Sequence, residues 1–232
     1  MYSERRPAAS LRARLECVWT IDVSHPFTQA VRPDGCIDIV YTRLSSVSSL
    51  NVVGTMTATR SHPFEPGTQI TGLRFLPGKS PFVPEADAIV SLGDMLRIGD
   101  LQRCLDNSAD PGSVLSAWLA SHDEPPTAVE QAISFLEEGR DLNEVASAAN
   151  LSVRQFRRRC AERTGLSPRH LARILRFRKA FQIAGQAARP DWAGIACVAG
   201  YFDQAHLIRD FREFAGAAPM AVFSNTLAPA RP

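Results

Sequence analysis

The sequence predicts a two-domain α+β protein: a β-rich, barrel-like first half that ends in helices, then an all-helical second half of about seven helices with two helix-turn-helix units. Three observations predict it. Upstream of Leu76 apolar and polar residues alternate with a period of two. Downstream of Pro126 apolar residues recur at helical spacing behind well-marked helix starts. Between them, Ser121-His122-Asp123-Glu124-Pro125-Pro126 is polar and closes on a proline pair, as linkers do. The expected division is therefore a domain over 1–124 and another over 127–226.

In the first half Cys17, Trp19, Ile21 and Val23 alternate with Val18, Thr20 and Asp22, and similar alternation runs through Ile37, Ile39, Tyr41 and through Thr71, Leu73, Phe75. Arg32-Pro33-Asp34-Gly35 and Leu76-Pro77-Gly78 are turn clusters between these strands. The period then changes: Met95, Ile98, Leu101, Leu105 and Val114, Leu115, Trp118, Leu119 predict two helices. In the second half Thr127 with Glu130, Asp141 with Glu144 and Ser152 with Gln155 fit the capping box. Ser167-Pro168 and Asp191 mark two further starts, and Gly139, Gly165 and Gly216 mark stops.

The second half also repeats itself. Val145-Ala146, Phe156, Cys160, Gly165 and Pro168 have counterparts in Ile195-Ala196, Leu207, Phe211, Gly216 and Pro219. Each copy reads as a short helix, a tight turn and a second helix, the arrangement that inserts a helix into the major groove. In the first copy Val153, Phe156 and Cys160 are expected to be buried, turning Arg154, Gln155, Arg157 and Arg158 outward. Arginine donates two hydrogen bonds to guanine N7 and O6 and also meets phosphates, so this face suits both grip and reading. In the second copy Leu207, Phe211 and Phe214 are buried, while Gln204, His206, Arg209 and Arg212 face out beside Asp203, Asp210 and Glu213. A helical rod from Pro168 to about Ala188 joins the copies, roughly 30 Å long at 1.5 Å per residue, close to the 34 Å recurrence of the major groove. Arg169, Arg173, Arg176, Arg178 and Lys179 lie on that rod, for phosphates or for contacts with the other domain.

Charge agrees with this division. The chain of 232 residues carries a net charge of +2, but from Pro125 onward 15 Lys and Arg stand against 10 Asp and Glu, whereas upstream 11 stand against 14. A basic half joined to a mildly acidic one is the pattern expected when only one half meets a polyanion. With 45% hydrophobic and 22% charged residues the composition is globular, and no apolar run approaches the 18 residues of a membrane span. A cytoplasmic protein without membrane contact is expected. Cys17, Cys36, Cys104, Cys160 and Cys197 are scattered and odd in number, which favours neither a disulfide framework nor a zinc module.

Gly165-Leu166-Ser167-Pro168 and the run from Gly200 to Arg212 resemble the AraC/XylS family of bacterial transcription regulators, over about Thr127 to Phe223. The resemblance implies a seven-helix domain that binds double-stranded promoter DNA and often recruits RNA polymerase. It implies base contacts at Ser152, Arg154, Gln155, Arg157 and Arg158 in the first unit and at Gln204, Ala205, His206 and Arg209 in the second. Two departures stand out. Phe202 replaces the usual serine, which leaves Asp203 to cap the second reading helix, and Ala205 offers only its methyl group, a match for thymine. In the first half, Pro33-Asp34-Gly35-Cys36-Ile37-Asp38-Ile39 and Gly72-Leu73-Arg74-Phe75-Leu76-Pro77-Gly78 resemble a poorly characterised domain that precedes this module in some members, which implies a sensor of a small-molecule effector or a homodimerisation module. No cofactor is expected. The competing reading makes the first half a DNA-targeted catalytic or methyl-accepting domain with Cys36 as nucleophile, but His25, His62 and His122 stand at no recognisable spacing to activate it, and a small buried cysteine is the more common case. His62 and His122 are expected at the surface, and Trp19 and Trp118 in the core.

Overall fold

The computed structural model describes residues 1–96, 98–122 and 126–224; Asp123, Glu124 and Pro125 of the expected linker, and the last two residues of the expected second domain, lie outside them. The first half opens with β1 (Tyr2–Arg5), a 3-10 turn (Ala9–Leu11) and β2 (Leu15–Asp22). Then come β3 (Phe27–Val31), β4 (Asp38–Leu44), β5 (Val47–Val53), β6 (Arg60–Phe64), β7 (Thr68–Phe75) and β8 (Ile89–Ser91). Three helices close it: α1 (Leu92–Met95), α2 (Gly99–Asp106) and α3 (Pro111–Ser121). Among the described residues six strands form one antiparallel sheet in the order β1-β2-β7-β4-β5-β8, and β3 pairs with β6 in a separate ribbon.

The expected barrel is thus an open sheet with β1 and β8 as its edges. Both of its faces are covered by other elements. On one face Leu15, Val18, Ile39, Tyr41, Leu73 and Phe75 pack against Leu92, Leu105, Leu115 and Leu119 of the helices. On the other, Cys17, Trp19, Ile21, Val23 and Ile70 meet Phe64 of the ribbon. The period-two reading therefore selected the right residues, and three helices rather than two complete the layer.

Trp19 and Gly72 are directly opposed on β2 and β7, and the indole lies flat over the glycine: a Cβ at position 72 would fall inside the ring. Gly72→Ala is expected to cost about 1–3 kcal/mol by forcing Trp19 from its place. Chemical denaturation measures it, and a neutral substitution would mean that the indole has room to swing aside.

The second half consists of α4 (Ala128–Glu137), α5 (Leu142–Ala148), α6 (Val153–Thr164), α7 (Pro168–Gly185), α8 (Trp192–Ala199), α9 (Gln204–Ala215) and α10 (Pro219–Ser224). Thr127 with Glu130 and Ser152 with Gln155 form complete capping boxes. Asp141 caps α5 by accepting from the Asn143 amide, without the return bond from Glu144 that a box requires. Pro168 opens α7 behind the Ser167 cap, and Gly165, Gly200 and Gly216 end their helices in the left-handed conformation. α7 stops at Gly185, so the rod is 18 residues and roughly 27 Å long. Its Phe177 anchors an aromatic core with Phe211 (centroids 5.0 Å apart, edge to face) and Phe214.

The halves meet on the turns that the sequence marked. Gly35 has φ +79°, and a Cβ there would stand 3.1 Å from Leu171 Cδ1 and 3.3 Å from Leu175 Cδ2 on α7. At Gly78 a Cβ would come closer still, 2.6 Å from Ile133 Cδ1 of α4. Arg178 of the rod pairs with Glu16 and donates to the Asp34 carbonyl, while Arg32 lies 4.4 Å over the Phe181 ring. For Arg178, contact with the other half is thus the structural role.

Candidate nucleic-acid interface

In the first unit the supporting helix α5 and the residue after it bury Val145, Ala146 and Ala149, whose small side chains let α6 approach with Phe156 and Cys160. That burial fixes the rotation of α6, so Arg154, Gln155, Arg157, Arg158 and Arg159 all emerge on its solvent side. Ser152 is exposed as well, but its hydroxyl is occupied: it accepts from the Gln155 amide at 3.3 Å and donates to Gln155 Oε1 at 2.9 Å, and that same oxygen accepts from the Ser152 amide at 3.0 Å. Gln155 therefore holds the helix end with its oxygen and keeps its amide nitrogen outside the box. Arg158 and Arg159 lean on Glu162 at 3.6 and 3.9 Å, exposed pairs that contribute little and exchange readily for phosphate. Arg163 turns the other way, to Glu130 at 3.0 Å.

In the second unit Gly200 makes the turn, and Asp203 does cap α9, accepting from the His206 amide at 2.7 Å. Gln204, Ala205, Arg209 and Arg212 are exposed; His206 is half-buried, edge-on to Tyr201 at 5.2 Å. Of the acidic neighbours only Asp210 turns inward, while Asp203 and Glu213 are exposed. Asp210 is 1% exposed and pairs with Arg173 of the rod at 2.7 Å, and Glu213 binds the same guanidinium. Asp203 caps the helix and Glu213 pairs with Arg173, so both stay at the surface with their charges engaged.

Between α7 and α9 lies a cleft of about 630 Å³, lined by Arg169, His170, Arg173, Arg176 and Arg209 among others. Arg176 stacks at 5.8 Å over Tyr201. With four arginines against Asp210 and Glu213, this groove beside α9 suits a phosphate backbone. His170 escaped the sequence reading because its spacing carries no motif; its position one turn into α7, edge-on to Phe214 at 5.8 Å, shows only in three dimensions. Phe202, 94% exposed, projects from the turn beside Ala205 and offers an apolar surface where the reading helix begins.

Cys36 is 5% exposed, and its thiol faces Glu16 at 3.5 Å and Arg178 at 3.4 Å. Burial, reinforced by Asp34, pushes the thiol well up, which keeps it protonated at neutral pH, the opposite of what a nucleophile needs. His62 is not a surface residue: it lies on β6, half-buried, with its Nε2 shielded from water. The ribbon folds back over the sheet and covers it. Among the described residues no group of three or more His, Cys, Asp or Glu is placed to hold a metal, and no helix is long and apolar enough to cross a membrane.

Comparison with known proteins finds a separate family model in each half. Residues 145–225 match the family model of a helix-turn-helix domain, and residues 3–87 match that of a domain of unknown function, DUF6597. Among solved structures, ToxT from Vibrio cholerae O395 is 11% identical with a TM-score of 0.46, covering 91% of this chain and 97% of that one. Unsaturated fatty acid bound wild-type ToxT from Vibrio cholerae strain SCE256 is 10% identical with a TM-score of 0.45, covering 94% and 97%. No curated protein matches the chain at significant similarity.

Proposed function

We propose that this chain, whose C-terminal part is an AraC-type helix-turn-helix domain, is a sequence-specific transcription regulator that lays α6 and α9 in successive major grooves of promoter DNA. The observation that carries this reading is the pair of capped helices on a common rod, each with its apolar face buried and its arginines outward. The rod of roughly 27 Å falls short of the 34 Å groove recurrence, so a modest bend of the DNA toward the protein accompanies binding. Arg154, Gln155, Arg157 and Arg158 read from the first unit, and Gln204, Ala205, His206 and Arg209 from the second, with Ser152 holding the first helix end. The domain over 127–226 binds DNA, and the domain over 1–124 senses a small-molecule effector or pairs with a second copy. RNA polymerase is the further partner that the family implies.

The test begins with in vitro selection of binding sites from random duplexes, followed by titration of the selected site at several salt concentrations. Log affinity should fall linearly with log salt, with a slope of about −0.9 per neutralised phosphate. With arginines on α6, α7 and α9 engaged, a slope of roughly −4 or steeper is expected. A flat salt response, or selection that enriches no sequence, would sink the proposal.

A further inference from the structure

The first half contains a cavity that the DNA-binding reading leaves without a purpose. It lies between the large sheet and the β3–β6 ribbon, has a volume of about 200 Å³, and is walled by Trp19, Val40, Phe64, Ile70 and Met56, with His62 on the ribbon side. A cavity of about 150 Å³ accepts benzene, so this one has room for a single ring with a small substituent. Two of its lining residues carry polar groups with no hydrogen-bond partner among the described residues, Trp19 Nε1 and His62 Nε2, each shielded from water and reached by a ligand as the ring turns. An indole N–H donates only, so its natural complement is an acceptor on a ligand. Burial, then the charge of Arg60, lower the basicity of His62, which leaves a neutral imidazole to complete the polar side.

The charged wall of the cavity excludes ions. Arg74 already serves Asp38 at 3.4 Å and Asp34 at 3.6 Å, two carboxylates on one guanidinium. Of these charges Asp38 and Arg74 line the cavity and offset each other, so an anion finds no free counter-charge there and a cation would have to displace Arg74 from Asp38.

The cavity is also wired to the reading helices. The segment from Gly54 to Thr59 joins β5 to β6, and Met56 within it is one of the cavity walls. On one side of Met56, the Thr55 hydroxyl donates at 2.6 Å to the Thr164 carbonyl at the C-terminal end of α6. On the other, Thr59 donates to the Phe214 carbonyl near the end of α9, through its amide at 3.0 Å and its hydroxyl at 2.6 Å. Thr57 anchors the segment between them to Asp87. One short strap therefore holds the ends of both reading helices, and the residue at its centre touches the cavity.

Resting on the regulator reading above, we propose that this cavity is the effector site, that its ligand class is a compact uncharged ring bearing a carbonyl or hydroxyl group, and that Met56 and the two threonine tethers transmit its occupancy to the spacing of α6 and α9. A ligand that moves Met56 moves the strap, and the strap changes how the two helices match successive grooves.

Benzamide serves as the neutral probe, with benzoate and benzylammonium as its charged counterparts, each titrated by calorimetry into the full chain. Benzamide should bind saturably and at least tenfold more tightly than either ion, and Trp19→Phe should weaken it about fivefold to tenfold. No binding of benzamide, or equal binding of benzoate, overturns the site, and this comparison needs no variant that must fold. On the selected DNA site, benzamide should change the affinity at least threefold for the native chain. It should leave unchanged that of a Thr55→Val/Thr59→Pro variant, in which proline removes the amide as well as the hydroxyl tether to Phe214 and which still binds benzamide. Benzamide binding without a change in DNA affinity, or an unimpaired response in the double variant, overturns the transmission. Failure to enrich any DNA would instead count against the regulator reading, while calorimetry would still decide the site.

Discussion

Glu130→Ala should destabilise the folded chain by about 3–5 kcal/mol, the range for removing one partner of a buried charge pair. Glu130 is 1% exposed and does three things at once. Its Oε2 accepts from the Thr127 amide at 2.7 Å and so closes the capping box of α4. Its Oε1 holds Arg163, at the end of the first reading helix, at 3.0 Å. The same oxygen stands 3.9 Å from Arg14 of the β-rich half, whose guanidinium also donates to the Lys79 carbonyl. Alanine would take their shared carboxylate from the buried Arg14 and the partly exposed Arg163 and free one helix start. For a chain of this size the loss corresponds to a melting temperature lower by roughly 10 °C. Glu130→Gln is the discriminating variant: it keeps an acceptor for Thr127 but removes the charge, and should recover about 1 kcal/mol, the typical value of a cap. If alanine costs less than about 1 kcal/mol, water has replaced the carboxylate and the joint between the halves does not depend on it.

The sequence told which residues face together but not which strands are neighbours. Alternation at Ile37, Ile39 and Tyr41 and at Leu73 and Phe75 picked the face that packs on the helices. Yet β4 pairs with β7 more than twenty residues away, and nothing local in either strand names its partner. The open sheet, expected as a barrel, follows from that non-local choice. The helical half was far more legible, because caps are local: Ser152-Gln155, Ser167-Pro168 and Asp203 each act within four residues of themselves. What escaped was again non-local. Asp210 and Glu213 read as acidic neighbours of the second reading face, but Arg173, 37 and 40 residues away, draws both to the rod. Gly35 and Gly78 read as turns, which they are, but also as nothing more. Their lack of a side chain is what lets the turns seat against Leu171 and Ile133.

Removing arginines from the two reading helices should have unequal effects. Arg157→Ala/Arg158→Ala is expected to cost roughly 2–6 kcal/mol at a selected site, at about 1–3 per base-reading arginine, and Arg209→Ala about 1–3. The inequality comes from numbers of unengaged cations. α6 presents Arg154, Arg157, Arg158 and Arg159 with only Glu162 among them, whereas α9 presents Arg209 and Arg212, and Arg173 of the rod is committed to Asp210 and Glu213. Arg173 narrows the gap that the sequence alone implied, since it draws Asp210 inward and pairs the exposed Glu213. The first unit should therefore dominate affinity without being its only source. Comparing the variants on selected and random duplexes separates the two jobs of arginine: a base reader loses more on the selected site and relaxes preference locally, whereas a phosphate contact weakens both equally and lowers the salt slope by about one. If Arg209→Ala costs as much as the double change in α6, the second helix is the principal reader, and the count of exposed arginines is the wrong guide to this interface.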